Sequence, residues 1–408
     1  MGIVVQKFGG TSVASLESQL QVLEKVRRPV REGHKVLVVL SAMAGETNRL
    51  IGLAGQWSDR PDPSELDVIV STGEQVSVGL FAMLCKDSGL KARSILGHQA
   101  GISTDCRFGR ARIMGIDETR LRGMLEDNDV LVVAGFQGCD CDGRITTLGR
   151  GGSDTSAVAL AAAVKADVCE IFTDVDGVYT TDPNVCSAAR KMDRISYDEM
   201  LEMASMGAKV LQIRSVEFAK KYNVPVHVRS TFSDAVGTLV TQEDESMEAV
   251  LVSGIAYDKD QVRVTVMDVQ DRPGVASSIF SPLAAAGIVV DMIIQNTSRD
   301  GITDMTFTVP RTDLAQTLEI LEQVKGEIGA AEILHDAKVS KVSVIGVGMR
   351  NHSGVASRMF AALKDENINI LMISTSEIKV TCLIEEKYTE LAVRTLHEVF
   401  ELNKNNSC

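Results

Sequence analysis

The chain has 408 residues, 45% hydrophobic and 24% charged, with a formal net charge of −13. That length predicts two to three domains with enough apolar surface for real cores. The acidic balance excludes nucleic acid or an anionic membrane as the main partner, because both need clustered Lys and Arg. A polyanionic small ligand held by a few basic groups stays possible. The opening MGIVVQKFGG reads as a strand and a glycine turn, not a secretory signal, and no run of eighteen apolar residues suggests a membrane span. Eight scattered cysteines (Cys85, Cys106, Cys139, Cys141, Cys169, Cys186, Cys382 and Cys408) predict reduced thiols in a cytoplasmic protein. Cys139 and Cys141 lack the spacing of a zinc site.

In chain order, Ile3–Val5, Lys35–Leu40, Val130–Ala134, Val168–Phe172 and Pro225–Val228 read as buried strands. Leu16–Val26, Gln75–Cys85, Thr155–Val164 and Ala208–Tyr222 have helical spacing. This alternation predicts an α/β fold, a mostly parallel sheet with helices on both faces. Ligands of such sheets bind beyond the C-terminal strand ends. The glycine-rich and polar segments 7–12, 41–45 and 173–177 directly follow strands.

Three segments carry candidate chemistry. Lys7 ends the first strand, and Gly9 and Gly10 let backbone N–H groups approach a phosphate. The alternative is an ordinary strand-to-helix turn. In Leu148–Ser156 the glycines clear room, and Arg150 offers a planar fork for a carboxylate or phosphate. Asp154 suits the orientation of lysines or a metal-bound water. A capped helix start would explain Ser153 or Asp154, but not the glycine–arginine–glycine–glycine run. Thr173–Pro183 suits adenine and ribose contacts, or is simply a turn rich in Asp, Gly and Pro.

The acidic stretch Thr241–Met247 predicts a linker. Beyond it the chain repeats itself. Gly274–Ile293 aligns with Gly354–Ile373 with nine identities in twenty positions. Each repeat reads strand, turn, helix, strand, strand, helix. The first closes with a strand at Ala331–Lys338, and the second lacks one. The unassigned apolar segment Ala249–Ala256 is expected to complete the second sheet, which would interleave the repeats. The stretch Ile345–Asn351 imitates part of a dinucleotide-binding turn but lacks the third glycine, and belongs to the repeat.

KFGGTSV (7–13), SAMAGETN (41–48), STGE (71–74), GRGGSDTSA (149–157), TDVDGVYTTDP (173–183) and MASMGAKVL (203–211) occur in this order. In order and spacing the chain resembles the aspartate kinases of the amino-acid kinase superfamily over essentially its whole length. STGE and GRGGSDTSA together are the more specific motifs. The repeats resemble ACT domains, small βαββαβ amino-acid-binding modules. The resemblance implies an amino-acid kinase fold over 1–245 followed by two ACT domains, 246–340 and 341–408. It implies transfer of a phosphoryl group from ATP with Mg²⁺ to the side-chain carboxylate of L-aspartate. That step opens lysine, threonine, methionine and diaminopimelate biosynthesis, with feedback by lysine, threonine or both.

By motif, the resemblance implies that Lys7, Gly9, Gly10, Thr173, Asp174, Tyr179 and Lys209 contact ATP, with Lys7, Asp154 and Lys209 catalytic. Ser41, Thr47, Glu74 and Arg150 lie at the aspartate site, Glu74 facing the ammonium and Arg150 a carboxylate. Effector contacts are expected at Asp271, Gly274, Gln295, Asn296, Ser298, Asn351, Gly354, Asn369 and Thr375. No resident metal site is expected. Asn184 stands where many relatives carry an arginine that holds the triphosphate. Paired ACT repeats imply a homo-oligomer, a dimer or higher. Met247 is a possible start of a separate regulatory subunit. A kinase for acetylglutamate, glutamate or a nucleotide is the nearest rival, and STGE with paired ACT repeats argues against it. A silent amino-acid sensor would not need Lys7, Glu74, Arg150, Asp154 and Lys209 intact. A fused homoserine dehydrogenase is not expected, because the sequence stops after the second repeat.

Overall fold

The computed structural model describes residues 2–207, 210–248, 250–296 and 301–404. It forms two compact units: Met1–Tyr179 with Lys191–Ala249, and Thr180–Arg190 with Val250–Cys408.

The first unit is built on an eight-stranded sheet. Its spatial order is Arg194–Ser196, Thr238–Thr241, Val226–Ser230, Val168–Thr173, Ile3–Phe8, Lys35–Leu40, Val130–Ala134 and Ala92–Ile95. Every neighbouring pair is parallel except Val226–Ser230 with Thr238–Thr241. Strands such as Lys35–Leu40 and Val130–Ala134 are apolar on both faces because helices cover both sides. The chain first builds the sheet to one side of Ile3–Phe8, then crosses to the other at Val168–Thr173. Parallel pairing thus gathers the ends at Phe8, Leu40, Ala134, Thr173 and Ser230 on one edge, around a reversal of strand order.

Helix Leu16–Arg31 starts at a capping box of Ser15 and Ser18. Helix Gly152–Val164 buries eleven residues, and its alanines allow close approach to the sheet. Helix Pro63–Asp87 is long and apolar enough by composition to cross a membrane. It is a core helix: half of its apolar window is buried, and Asp67 and Glu74 lie on the covered side. The helix expected from Gln75 therefore begins twelve residues earlier, at Pro63, since Asp62 caps it with Ser64 and Glu65 N–H groups. STGE lies inside this helix.

The helix expected over 208–222 is observed as Ile213–Tyr222, and 208 and 209 lie outside the described residues. A small second sheet orders Ile113–Ile116, Ile102–Thr104, Gln137–Cys139 and Ile145–Thr147. Its strands of three or four residues leave no periodicity to detect. In place of a plain linker, Thr241 ends a strand and Glu245–Glu248 forms one helical turn.

The second unit is a six-stranded antiparallel sheet: Ile294–Gln295, Ile302–Pro310, Gly254–Gln270, Glu332–Ile345, Lys379–Glu385 and Met372–Thr375. Its two central strands are long and shared. Residues 261–270 pair with Ile302–Pro310, and 263–267 with 332–336, which makes the first repeat's sheet. Residues 254–258 pair with 341–345, which in turn pair with Lys379–Glu385, making the second. The register shifts between Asp258 and Arg263, where one repeat passes into the other. Helices Val275–Ala285 and Leu314–Ile328 pack on the first half; Val355–Asp365 and Thr389–Val399 pack on the second.

Residues 180–190 belong to this second unit although the motif TDVDGVYTTDP runs into them. The Ile255 amide donates to Thr180 O at 2.7 Å, Tyr257 Oη donates to Asp182 Oδ2 at 3.0 Å, and Thr180 Oγ1 lies 2.9 Å from His397 Nε2. Asn184 turns back on its own loop, its N–H and Nδ2 donating to Asp182 Oδ1 at 2.9 and 3.0 Å.

Candidate active site

The loops leaving the sheet edge of the first unit lie against one another. After Phe8 the chain turns at Gly9 and Gly10 into the short helix Gly10–Val13. A Cβ on Gly10 would lie 2.7 Å from Ala42 O, so only glycine lets this turn meet the segment after Leu40. The Ala44 amide then donates to Gly10 O at 3.1 Å. A Cβ on Gly9 would come 3.6 Å from Lys7 Nζ and 4.0 Å from Phe172 O, on the strand that leads to Thr173. Phe8 and Phe172 stack beneath the turn with centroids 4.6 Å apart.

Lys7 and Asp154 form the central ion pair, Nζ to Oδ1 at 2.6 Å, with side chains only 12% and 10% exposed. Asp154 lies in the first turn of helix Gly152–Val164, whose N-terminus is Gly151 at φ +68°. Two residues of opposite sign from distant segments are thereby held at the sheet edge.

Glu74 faces the same edge from helix Pro63–Asp87. It is 3% exposed, and the Ala42 amide donates to its Oε1 at 3.0 Å. Its Oε2 has no hydrogen-bond partner among the described residues. Burial raises its pKa to about 7, against the lowering effect of the Ala42 N–H. An unpaired oxygen on a buried carboxyl is a ready acceptor for a cation. Gly73 allows this approach, since a Cβ there would sit 2.8 Å from Ala42 Cβ. Ser41 and Thr47 are half-buried on the same loop and the helix Glu46–Trp57 after it.

Arg150 is exposed, on a loop with Gly149 at φ +78° and Gly151 at φ +68°. No acidic side chain among the described residues forms an ion pair with it. Thr173 ends its strand, with Oγ1 donating to Asp174 Oδ1 at 3.0 Å. Tyr179 Oη donates to Asp176 Oδ1 at 2.8 Å. Lys209 lies outside the described residues. Among the described residues no cluster of three His, Cys, Asp or Glu could hold a metal ion.

In the second unit, Gly274 and Gly354 occupy matching positions before helices Val275–Ala285 and Val355–Asp365, at φ +96° and +105°. Asp271 lies at the same sheet end as Gln295 and Asn296: its N–H donates to Gly301 O at 2.9 Å, and Asn296 O accepts from Thr303 Oγ1 at 2.8 Å. All three are exposed, as are Asn369 and Thr375. Ser298 and the side chain of Asn351 lie outside the described residues.

Five residues were missed by sequence reasoning. Asp67 and Arg214 hold the loop that carries Arg150, Gln212 lies where a side chain on Gly151 would have to go, and Ser12 Oγ bonds Thr231 Oγ1 at 2.7 Å. Asp67 had a signal, being an acid in an apolar helix seven residues, or about two turns, before Glu74.

The fold and site define an amino acid kinase carrying two ACT domains. Residues 2–230 match the amino acid kinase family, and 263–326 and 342–400 match ACT domain models. An aspartokinase of Pseudomonas aeruginosa is 58% identical over 405 residues, covering 99% of this chain and 98% of that protein. One from Helicobacter pylori is 51% identical, covering 98% and 100%. Among solved structures, E. coli aspartokinase III in complex with aspartate and ADP (R-state) has a TM-score of 0.81 at 30% identity, covering 97% of this chain and 99% of that one. The same enzyme in complex with lysine and aspartate (T-state) has a TM-score of 0.76. The chain belongs to the aspartokinase family and is an aspartate kinase.

Proposed function

We propose that this enzyme transfers the γ-phosphoryl group of MgATP to the side-chain carboxylate of L-aspartate, giving 4-phospho-L-aspartate. In this reading residues 1–245 catalyse and 246–340 and 341–408 sense lysine, threonine or both. The observation that carries it is the Lys7–Asp154 pair at 2.6 Å beside a glycine turn on the sheet edge. Aspartate and ADP in the related E. coli enzyme support the substrates, and lysine in its T-state supports the effector.

The acceptor needs no base, since a free aspartate side chain titrates near ~3.9 and is already an anion at neutral pH. The barrier is repulsion between a carboxylate and a triphosphate. Lys7 and Lys209 would neutralise transferring oxygens, and N–H groups of the turn after Gly9 would add dipoles. Asp154 holds the Lys7 ammonium in place. Glu74 would accept from the substrate ammonium, and Arg150 would take a carboxylate. Together they would fix the acceptor in line. Mg²⁺ would enter with the nucleotide, as it commonly does when few carboxylates are offered. Thr173, Asp174 and Tyr179 would line the nucleotide's base and ribose.

Effector control, oligomerisation through the ACT repeats, a cytoplasmic location and the biosynthetic role belong to the same proposal. The test is a steady-state assay with aspartate, glutamate and acetylglutamate as acceptors, with lysine and threonine added singly and together. Turnover of aspartate alone, inhibited by one or both effectors, is expected. Preference for another acceptor would overturn the substrate, and indifference to both effectors would overturn the sensing role.

A further inference from the structure

The loop that carries Arg150 contains three glycines, and such a loop is flexible unless its ends are fixed. Two side chains that the proposed function assigns to neither substrate fix the near end. Asp67, 1% exposed, accepts four bonds: from the Thr147 amide at 2.7 Å, from Thr147 Oγ1 at 2.6 Å, and from the Gly109 amide at 3.0 and 2.9 Å to its two oxygens. Arg214 donates from its two terminal nitrogens to Leu148 O at 2.6 Å and Ala111 O at 2.9 Å. The Ala111 amide closes the set by donating to Thr147 O at 2.8 Å. Residues 109–111 and 147–148 are thus clamped between a carboxylate on one helix and a guanidinium on another. The far end is set by Gly151, where a Cβ would lie 1.8 Å from Gln212 Cγ, on the residue that precedes helix Ile213–Tyr222.

Asp67 also shares its helix with Glu74. Seven residues separate them, about two turns, so both project from one face, and both are buried. Between them Ser71 O accepts from Gln137 Nε2 at 3.0 Å, which ties the neighbouring strand to the same rod. One end of this face reaches the loop after Leu40 through Ala42 N–H; the other reaches the strand that runs into Gly149.

We propose that Asp67 and Arg214 are positioning residues for aspartate: they set where Arg150 stands relative to Glu74, and so the span between the carboxylate and ammonium subsites. The proposal rests on the reading of Arg150 and Glu74 given above. A helix segment is stiff, so a ligand whose two charged groups match the span binds with little reorganisation, and loosening one anchor penalises binding of that ligand and not of the nucleotide.

The test uses the full-length enzyme with Asp67→Asn, Arg214→Gln, Arg150→Ala and both pairs with Arg150→Ala. An asparagine at 67 turns an NH₂ toward N–H donors, and glutamine at 214 removes one of two donor arms. Each single variant is expected to raise KM for aspartate about tenfold to a hundredfold, the worth of one charged hydrogen bond. KM for ATP should stay within about twofold. In the Arg150→Ala background neither should raise KM further, because the group they position is gone. Unchanged aspartate KM in folded variants, or full additivity with Arg150→Ala, would overturn the positioning role. A lowered Tm with unchanged KM would make the residues structural only. If Asp67→Asn does not fold, Arg214→Gln decides alone. Should Arg150→Ala leave KM unchanged while Asp67→Asn raises it, the assignment of Arg150 falls and the clamp acts through another group of the loop.

Discussion

Each unit buries a lysine against an aspartate, and the two pairs do different work. In the first, Lys7 and Asp154 meet at a sheet edge among glycines, both largely buried, with backbone N–H groups nearby. In the second, Lys341 sits mid-strand, 2% exposed, beside Asp291, which is 57% exposed. Burial outweighs the attraction of Asp291 and lowers the Lys341 pKa. Lys341 lies inside a continuous ladder, its partners Asp258 on one neighbouring strand and Leu383 on the other, and not at a glycine turn. A buried charge by itself therefore does not mark an active site; a buried charge beside backbone that a ligand can reach does.

Substitution can break this contrast, the largest effect coming first. Lys7→Ala should lower kcat about a thousandfold or more, since it removes a cation from the transferring group. Circular dichroism should show the fold retained. Near-normal turnover would put Lys7 in the same class as Lys341.

Next comes Glu74, the buried acid of the first unit. Its folded pKa, about 7, lies above the ordinary 4.5. In the free enzyme its stabilising contribution is thus present in full below about pH 4.5 and lost as pH rises through about 7. The ionised form is the one that would pair with an ammonium. KM for aspartate should therefore rise about tenfold per unit as pH falls below 7. The rise of Tm on adding aspartate should be larger at pH 8 than at pH 6. Glu74→Gln should show a high KM that is flat over this range, and a pH profile identical to the parent would remove Glu74 from the site.

The smallest effects belong to the second unit. Asp291→Asn leaves Lys341 buried without its partner and should lower Tm by a few degrees, whereas Lys341→Met removes both the charge and the need for one and should leave Tm within about 2 °C. Neither should alter aspartate kinetics in the absence of effector. A large loss of activity in Lys341→Met would show that this pair too serves catalysis.

Periodicity located the five central strands of the kinase sheet, with ends up to three residues off (Ile3–Val5 was expected where the strand runs to Phe8), because strands such as KVLVVL are buried on both faces and carry no competing pattern. It missed the start of helix Pro63–Asp87, where SELDVIVSTGE mixes apolar and acidic residues whose partners are distant in sequence. Asp67 answers to Thr147 and Glu74 to Ala42, and nothing local announces either bond. That Asp154 orients lysines was legible from its motif, while its direct contact with Lys7 across 147 positions is seen in the fold. The small sheet was invisible because strands of three residues cannot establish a period. The docking of 180–190 on the second unit ran against the motif that spans its boundary, since Tyr257 and His397 lie far along the chain.

Strands Gly254–Gln270 and Glu332–Ile345 each serve two repeats, and the last strand of the second repeat comes before the first strand of the first. In chain order the second repeat is a circular permutant with its partner inserted into it. Neither can be excised or exchanged alone without tearing a strand from the other. A graft that swapped only residues 342–400 would leave the new module resting on the old 254–258 edge. New effector specificity must therefore come by point changes in the turns, or by transplanting the pair as one piece. A break near 242–250 would spare every strand pair of this sheet, but it would leave residues 180–190, which bond Ile255, Tyr257 and His397, on the other piece.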